Sequence, residues 1–196
     1  TEAVAGVVGG RLVVAGGFDG GDDHLTSVEA YTPTGWTPLP PLPHAAHQAT
    51  ACVLNGRLYV MGGYRCNKLQ VLEMSEENGF SWSTSVKADM PTERYGAACA
   101  VVDGNLWLMG GLLAGSQRTP TVTIYDPVTD AWVAGPELPR EAQKPPRGAG
   151  FCRAAVLDGV VHVTSSVGTW CYDGTAWVEV GSGSRDGAAC GLGLRG

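Results

Sequence analysis

The sequence predicts an all-β fold assembled from four copies of one four-stranded unit. Three observations carry this. A pair of short apolar runs joined at a glycine-bearing turn recurs at residues 7–17, 52–63, 101–111 and 156–166. Its turn glycines, Gly10, Gly56, Gly104 and Gly159, are 46, 48 and 55 residues apart. Each copy is followed by a third short run, at 28–31, 69–72, 122–125 and 169–172, and then by a tryptophan: Trp36, Trp82, Trp132 and Trp177. The 29 glycines and 12 prolines suit many turns between short strands. Self-similarity at this period marks architectures in which each unit buries its apolar face against the next.

The second copy shows the local chemistry. Asn55-Gly56 joins two runs rich in Val, Leu and Tyr. Such runs favour strands, and Asn-Gly tolerates the positive φ that a type I′ hairpin needs at both central positions. Gly62-Gly63 ends the second strand, as Gly16-Gly17 and Gly110-Gly111 do in their copies, whereas the fourth copy has Ser165-Ser166. Gly-Gly, then Tyr, then Trp at these offsets resembles the kelch repeat, whose blades form β-propellers. The third copy, Tyr125-Asp126-Pro127-Val128-Thr129-Asp130-Ala131-Trp132, looks like the repeats of kelch-like substrate adaptors of ubiquitin ligases. The resemblance covers nearly the whole chain.

The elements follow in order. The first blade spans about 3–43, with strands a to d at 3–8, 11–15, 28–31 and 36–39. The second spans 44–91 and the third 92–139; Leu42-Pro43 and Met90-Pro91 end successive d strands, where proline stops ladder pairing. The fourth spans 140–180 and opens with a longer polar linker at 140–149. Residues 186–196 look like the first strand of a fifth repeat, with Gly196 at the turn position. The fold class expected is thus a kelch-type β-propeller with four blades and the start of a fifth, part of a ring of about six. Six blades at this period need on the order of 280–300 residues. Three closures stay open: a truncated propeller, completion by another chain, or four blades closing alone. The tryptophans should pack between neighbouring blades, and Trp107 should lie in the core.

Composition bounds the function. At 196 residues one domain is expected, and a net charge of −6 argues against nucleic acid as the main partner. No run approaches the ~18 apolar residues of a membrane span, and residues 1–14 lack the basic region of a signal peptide. Thr1 follows a removed Met or marks a cut end. None of the six cysteines, Cys52, Cys66, Cys99, Cys152, Cys171 and Cys190, forms a Cys-x-x-Cys pair. Four lie in successive first strands, which reads as reduced core thiols in a reducing, cytoplasmic setting; disulfides or metal are the alternative. Asp19, Asp22 and Asp23 read as a solvated loop, and His44 and His47, three apart among prolines, as loop residues. No metal or cofactor is expected.

In an up-and-down meander the b–c loops and d–a linkers share one end, and these are the long, variable segments where function usually sits. The linkers enter strand a through His47, Arg94, Arg147 and Arg185; Tyr64, Arg65, Tyr95 and Arg118 come from the same end. Arg and Tyr are enriched in interface hot spots. In kelch-like adaptors, arginines near this strand entry read acidic degron peptides, and the resemblance implies that role for Arg94, Arg147 and Arg185. The alternative is that each arginine caps backbone carbonyls. The expected function is non-catalytic binding of a protein or acidic segment, as an adaptor or scaffold, with further blades or another chain as a second partner. A cytoskeletal or ciliary structural role and a sugar-directed propeller enzyme are the competing readings. The enzyme reading lacks support here: copper needs clustered His and Tyr, and the chain has four histidines, one of them, His162, inside a strand.

Overall fold

The computed structural model describes residues 1–181 apart from 22, 78, 84, 86, 141–151, 166 and 167. Arg147, Arg185, Cys190 and the expected fifth-repeat strand lie outside the described residues. Sixteen strands form four antiparallel four-stranded sheets, each a simple meander. The first sheet holds β1 (Val4–Val8), β2 (Arg11–Ala15), β3 (Val28–Thr32) and β4 (Gly35–Leu39). The second holds β5 (Thr50–Leu54), β6 (Arg57–Met61), β7 (Leu69–Ser75) and β8 (Gly79–Trp82). The third holds β9 (Ala98–Val102), β10 (Asn105–Met109), β11 (Val122–Asp126) and β12 (Ala131–Ala134). The fourth holds β13 (Arg153–Leu157), β14 (Val160–Thr164), β15 (Thr169–Tyr172) and β16 (Trp177–Gly181). The arrangement is a four-bladed propeller.

The repeated turn fixes each blade's inner hairpin. Asn55 and Gly56 have φ of 50° and 72°, and Asp103 with Gly104 and Asp158 with Gly159 repeat these values closely. The right-handed twist of the flanking strands matches this mirror-image turn. Pairing runs without slip from Thr50↔Met61 to Leu54↔Arg57, so side chains alternate cleanly between the two faces of the sheet.

Apolar clusters lie between blades, not within them. Val8, Val13, Val28 and Ala30 meet Leu58, Val60 and Leu72. Tyr59, Met61 and Val71 meet Leu106, Leu108 and Tyr125. Ala98, Met109 and Val122 meet Val161, Val163 and Trp170. The inner strands pack in succession, β1 on β5, β5 on β9, β9 on β13, and no comparable packing joins β13 to β1. The outer faces of the end blades accordingly expose Val7, Leu12, Tyr31 and Trp36 on one side and Leu157 and Val178 on the other.

Three of the four repeat tryptophans bridge blades as expected. The indole N–H donates to a main-chain carbonyl at the exit of the preceding blade: Trp82 to Pro40 at 2.9 Å, Trp132 to Ala88 at 2.9 Å and Trp177 to Pro136 at 3.0 Å. Two residues after each acceptor stands a buried Leu or Met followed by Pro: Leu42, Met90 and Leu138. Trp36 departs from the expectation. It is 50% exposed, and its one ring contact among the described residues is edge-to-face with Tyr31 of its own blade. Trp82 also falls at the end of its strand, because the β7–β8 hairpin is longer than its counterparts.

Candidate partner-binding face

Each glycine pair at the end of a second strand turns the chain with positive φ, 66° and 119° at Gly62 and Gly63. A Cβ on Gly63 would stand 2.8 Å from the His47 carbonyl oxygen, so only glycine fits there. The turn lets the neighbouring linker cross close by. Gly63 N–H donates to the Arg94 carbonyl and Gly17 N–H to that of Ala46. The next residue donates to the strand entry of its own blade: Phe18 to Thr1, Tyr64 to His47 and Leu112 to Tyr95. Phe18, Tyr64 and Leu112 are therefore equivalent positions, and so are His47 and Tyr95.

These two sets of residues meet. Phe18, His24, His47, Gln48, Tyr64, Tyr95, Leu112 and Ser116 line an open cavity of about 480 Å³ on the loop face. Their rings form a continuous row. Phe18 stacks on His47 at 4.9 Å between centroids, and His47 lies 4.8 Å from His24. His24 meets Tyr64 edge-on at 5.6 Å, and Tyr64 meets Tyr95 edge-on at 5.4 Å. Offset and edge-to-face contacts are the favoured geometries of aromatic pairs, so the row holds its own shape.

Polar groups pin its ends. Glu2 pairs with His47 Nε2, while His47 Nδ1 is buried without a partner. Burial raises the Glu2 carboxyl, but hydrogen bonds with Gln48 and His47 outweigh it and hold the group below its ordinary value. The hydroxyls of Tyr95 and Ser116 lie 2.9 Å apart. Arg65, exposed, places its guanidinium over Tyr64 at 5.2 Å from the ring centroid. Arg118 is half-buried beside Leu112, to which it forms an isolated bridge.

Arg94 stands elsewhere. The sequence aligned it with His47 at the strand entry; the hydrogen-bond pattern aligns it instead with Ala46, the buried position one residue earlier. It is 3% exposed. Nη1 donates to the carbonyls of Thr121 at 3.0 Å and Gly110 at 3.4 Å, and Nη2 to Thr92 Oγ1 at 2.9 Å. Burial brings its guanidinium down to about 10. This is the carbonyl-capping alternative, and it removes Arg94 from the rim. The site as built is thus aromatic first and cationic second. Phe18, His24 and Leu112 were missed. For Phe18 and Leu112 the signal was present, since the residue after each glycine pair points to this face; His24, in the β2–β3 loop, carries no such mark.

Among the described residues no group of three or more His, Cys, Asp or Glu is arranged to hold a metal ion, and no helix is long and apolar enough to cross a membrane.

Comparison with known proteins bears on both fold and role. Residues 2–173 match the family model described as the KLHDC2/KLHL20/DRC7 Kelch-repeats domain. The chain belongs to the kelch-repeat family. This kelch propeller is 31% identical to mouse Kelch-like protein 35 over 187 residues, covering 87% of this chain and 29% of that protein. It is 30% identical to human Kelch repeat and BTB domain-containing protein 13, covering 74% of this chain and 32% of that one. Kelch-like protein terF of Aspergillus terreus is 24% identical, with coverages of 94% and 40%. The kelch propeller therefore spans well under half the length of these relatives. A solved structure titled "Structure of YjhT" superposes with a TM-score of 0.70 at 18% identity, covering 93% of this chain and 70% of that one, which speaks to the fold.

Proposed function

We propose that this kelch propeller is a non-catalytic protein-binding module, working as an adaptor or scaffold, and that its loop face takes the partner. The aromatic row from Phe18 to Tyr95 carries this reading. Tyr and Arg on a preformed, partly exposed surface give contact area at low ordering cost. Arg65 and Arg118 on an acidic protein favour an acidic partner segment, because like charge repels it elsewhere. The free thiols fit a reducing compartment such as the cytoplasm. The test is affinity capture from the source cell with the parent and with a Tyr64→Ala, Arg65→Ala variant of equal unfolding midpoint. Loss of captured proteins from the variant supports the site. Retention of all of them refutes it.

A second reading concerns the end faces. We propose that a further kelch blade covers the outer face of blade one. Trp36 has no acceptor among the described residues, while its three counterparts each have one. The exit of blade four, Gly181-Ser182-Gly183-Ser184, lacks the Leu-Pro or Met-Pro that follows the other acceptors. Sedimentation of the 196-residue chain decides: association or hydrophobic-dye binding is expected, and a dye-negative monomer refutes an uncovered face.

A further inference from the structure

Strand alternation places two cysteines in one blade interface. On β5, Thr50, Cys52 and Leu54 share the face turned to blade three, since Leu54 belongs to the cluster between blades two and three. On β9, Cys99 and Val101 face back into that same cluster, as does Ala97 just before it, whereas Ala98 and Ala100 face blade four. Cys99 Sγ accepts a hydrogen bond from Thr50 Oγ1 at 3.1 Å, and Cys52, two residues along the same face of β5, packs against the same cluster as Cys99. It therefore faces the Thr50 and Cys52 side of β5 across the interface. Both cysteines are free.

Cys99 is reachable. The four inner strands surround an axial cavity of about 510 Å³, and Thr50, Cys99 and Cys152 are in its wall. Alanines at positions 3, 5, 49, 51, 97, 98 and 154 keep that wall open. A small oxidant entering the cavity meets Cys99 and Cys152 in its wall, and of these Cys99 has a second cysteine, Cys52, in its own cluster.

We propose that Cys52 and Cys99 are a modification site, forming a reversible disulfide between blades two and three when the chain meets a peroxide. The two thiols are unequal. Hydrogen bonds from Cys52 and Thr50 hold the Cys99 thiol below its ordinary value despite burial. The contact with Cys99, reinforced by burial, pushes Cys52 up. Cys99 is the nucleophile, because the thiolate reacts. Its sulfur attacks one peroxide oxygen, the O–O bond breaks, and Cys99 becomes a sulfenic acid. Cys52 sulfur then attacks that sulfur; the S–S bond forms, the S–O bond breaks, and hydroxide leaves as water with the Cys52 proton. Two thiols lose two electrons and two protons, and hydrogen peroxide is reduced to two waters. A thiol reductant reverses the link.

The test treats the native chain with stoichiometric hydrogen peroxide, blocks residual thiols, digests without reduction and maps peptides by mass spectrometry. The expected product joins the Cys52 and Cys99 peptides, is two hydrogens lighter than their sum and disappears on reduction. Cys152→Ser keeps it. Cys52→Ser abolishes it and leaves a dimedone-trappable sulfenic acid on Cys99. The oxidised chain unfolds at a higher midpoint than the reduced one, since the link closes a long loop. Mapping on the parent chain needs no variant to fold. A link that forms only in denaturant, links to Cys66 or Cys171 instead, or irreversible oxidation of Cys99 without a link would overturn the proposal.

Discussion

Replacing Arg94 separates a structural arginine from a partner-reading one. Arg94→Met keeps an apolar stem of similar length in the buried slot and removes the guanidinium. Three donations disappear, to Thr121 O, Gly110 O and Thr92 Oγ1, the second already long at 3.4 Å. Hydrogen bonds from charged groups are worth roughly 1.5–3 kcal/mol each, and carbonyls left unpaired cost about 1–3 kcal/mol. Removing a buried charge returns part of this, because its desolvation cost also goes. A net loss of about 2–4 kcal/mol is expected, a large share of the ~5–15 kcal/mol that holds a domain. With a urea slope of ~2 kcal/mol/M, the middle of the range for small proteins, the midpoint should fall by about 1–2 M. Arg94→Lys should recover only part of the loss, since one ammonium cannot serve three acceptors spread around a planar fork. Arg65→Met, on the exposed loop, should stay within ~0.5 kcal/mol of the parent. If Arg94→Met unfolds at the parent's midpoint yet loses a captured partner, the buried-cap assignment is wrong and the guanidinium reads a ligand.

Three further outcomes follow from the same contacts. Trp132→Phe removes the donation to Ala88 and should cost about 0.5–1.5 kcal/mol, while Trp36→Phe, with no such bond, should leave the thermal midpoint of the isolated chain unchanged. Gly63→Ala should destabilise more than Gly56→Ala in denaturant titration, because Gly63 Cβ meets the His47 carbonyl whereas Gly56 faces open space and carries only the ~1–2 kcal/mol of left-handed strain. Asp130 is held below its ordinary value by the Tyr125 hydroxyl and then by Ala88 N–H. A depressed carboxylate stabilises above its unfolded value and loses that contribution as pH falls through the folded one. Stability should therefore drop below about pH 4, and Asp130→Asn should flatten that part of the profile in urea titrations.

The fold was legible because the repeat states its own period and turn chemistry. Asn55-Gly56, Asp103-Gly104 and Asp158-Gly159 fix where each chain reversal occurs, and the apolar runs beside them have one way to pair. The tryptophans were legible as bridging residues, but their acceptors were not. A carbonyl at Pro40 or Ala88 has no side-chain signature, and only the buried Leu42 and Met90 two residues later mark the place. Trp36 shows the limit of reading a repeat in isolation. Its sequence context matches its counterparts, and its exposure depends on what stands beside blade one.

The site was half legible, and the error was one of register. His47 and Arg94 look equivalent because both precede a strand within a few residues and both carry nitrogen bases. Equivalence in a propeller is set by backbone hydrogen bonds, and these count from the glycine pair. Gly63 N–H takes the Arg94 carbonyl, Gly17 N–H takes that of Ala46, and the residue after each acceptor faces the cavity. One step along the chain thus separates a buried position from a rim position. The side chains obey it: Ala46 and Arg94 are buried, while His47 and Tyr95 line the ring row. A buried rank that holds alanine in one blade holds arginine in the next. That exchange is possible only because blade three offers the Gly110 and Thr121 carbonyls as acceptors within reach. Charge at a strand entry is therefore no guide to which residues line the loop-face cavity. The residue that follows each glycine pair is the better one, since the turn that requires the glycines also aims that residue at the cavity.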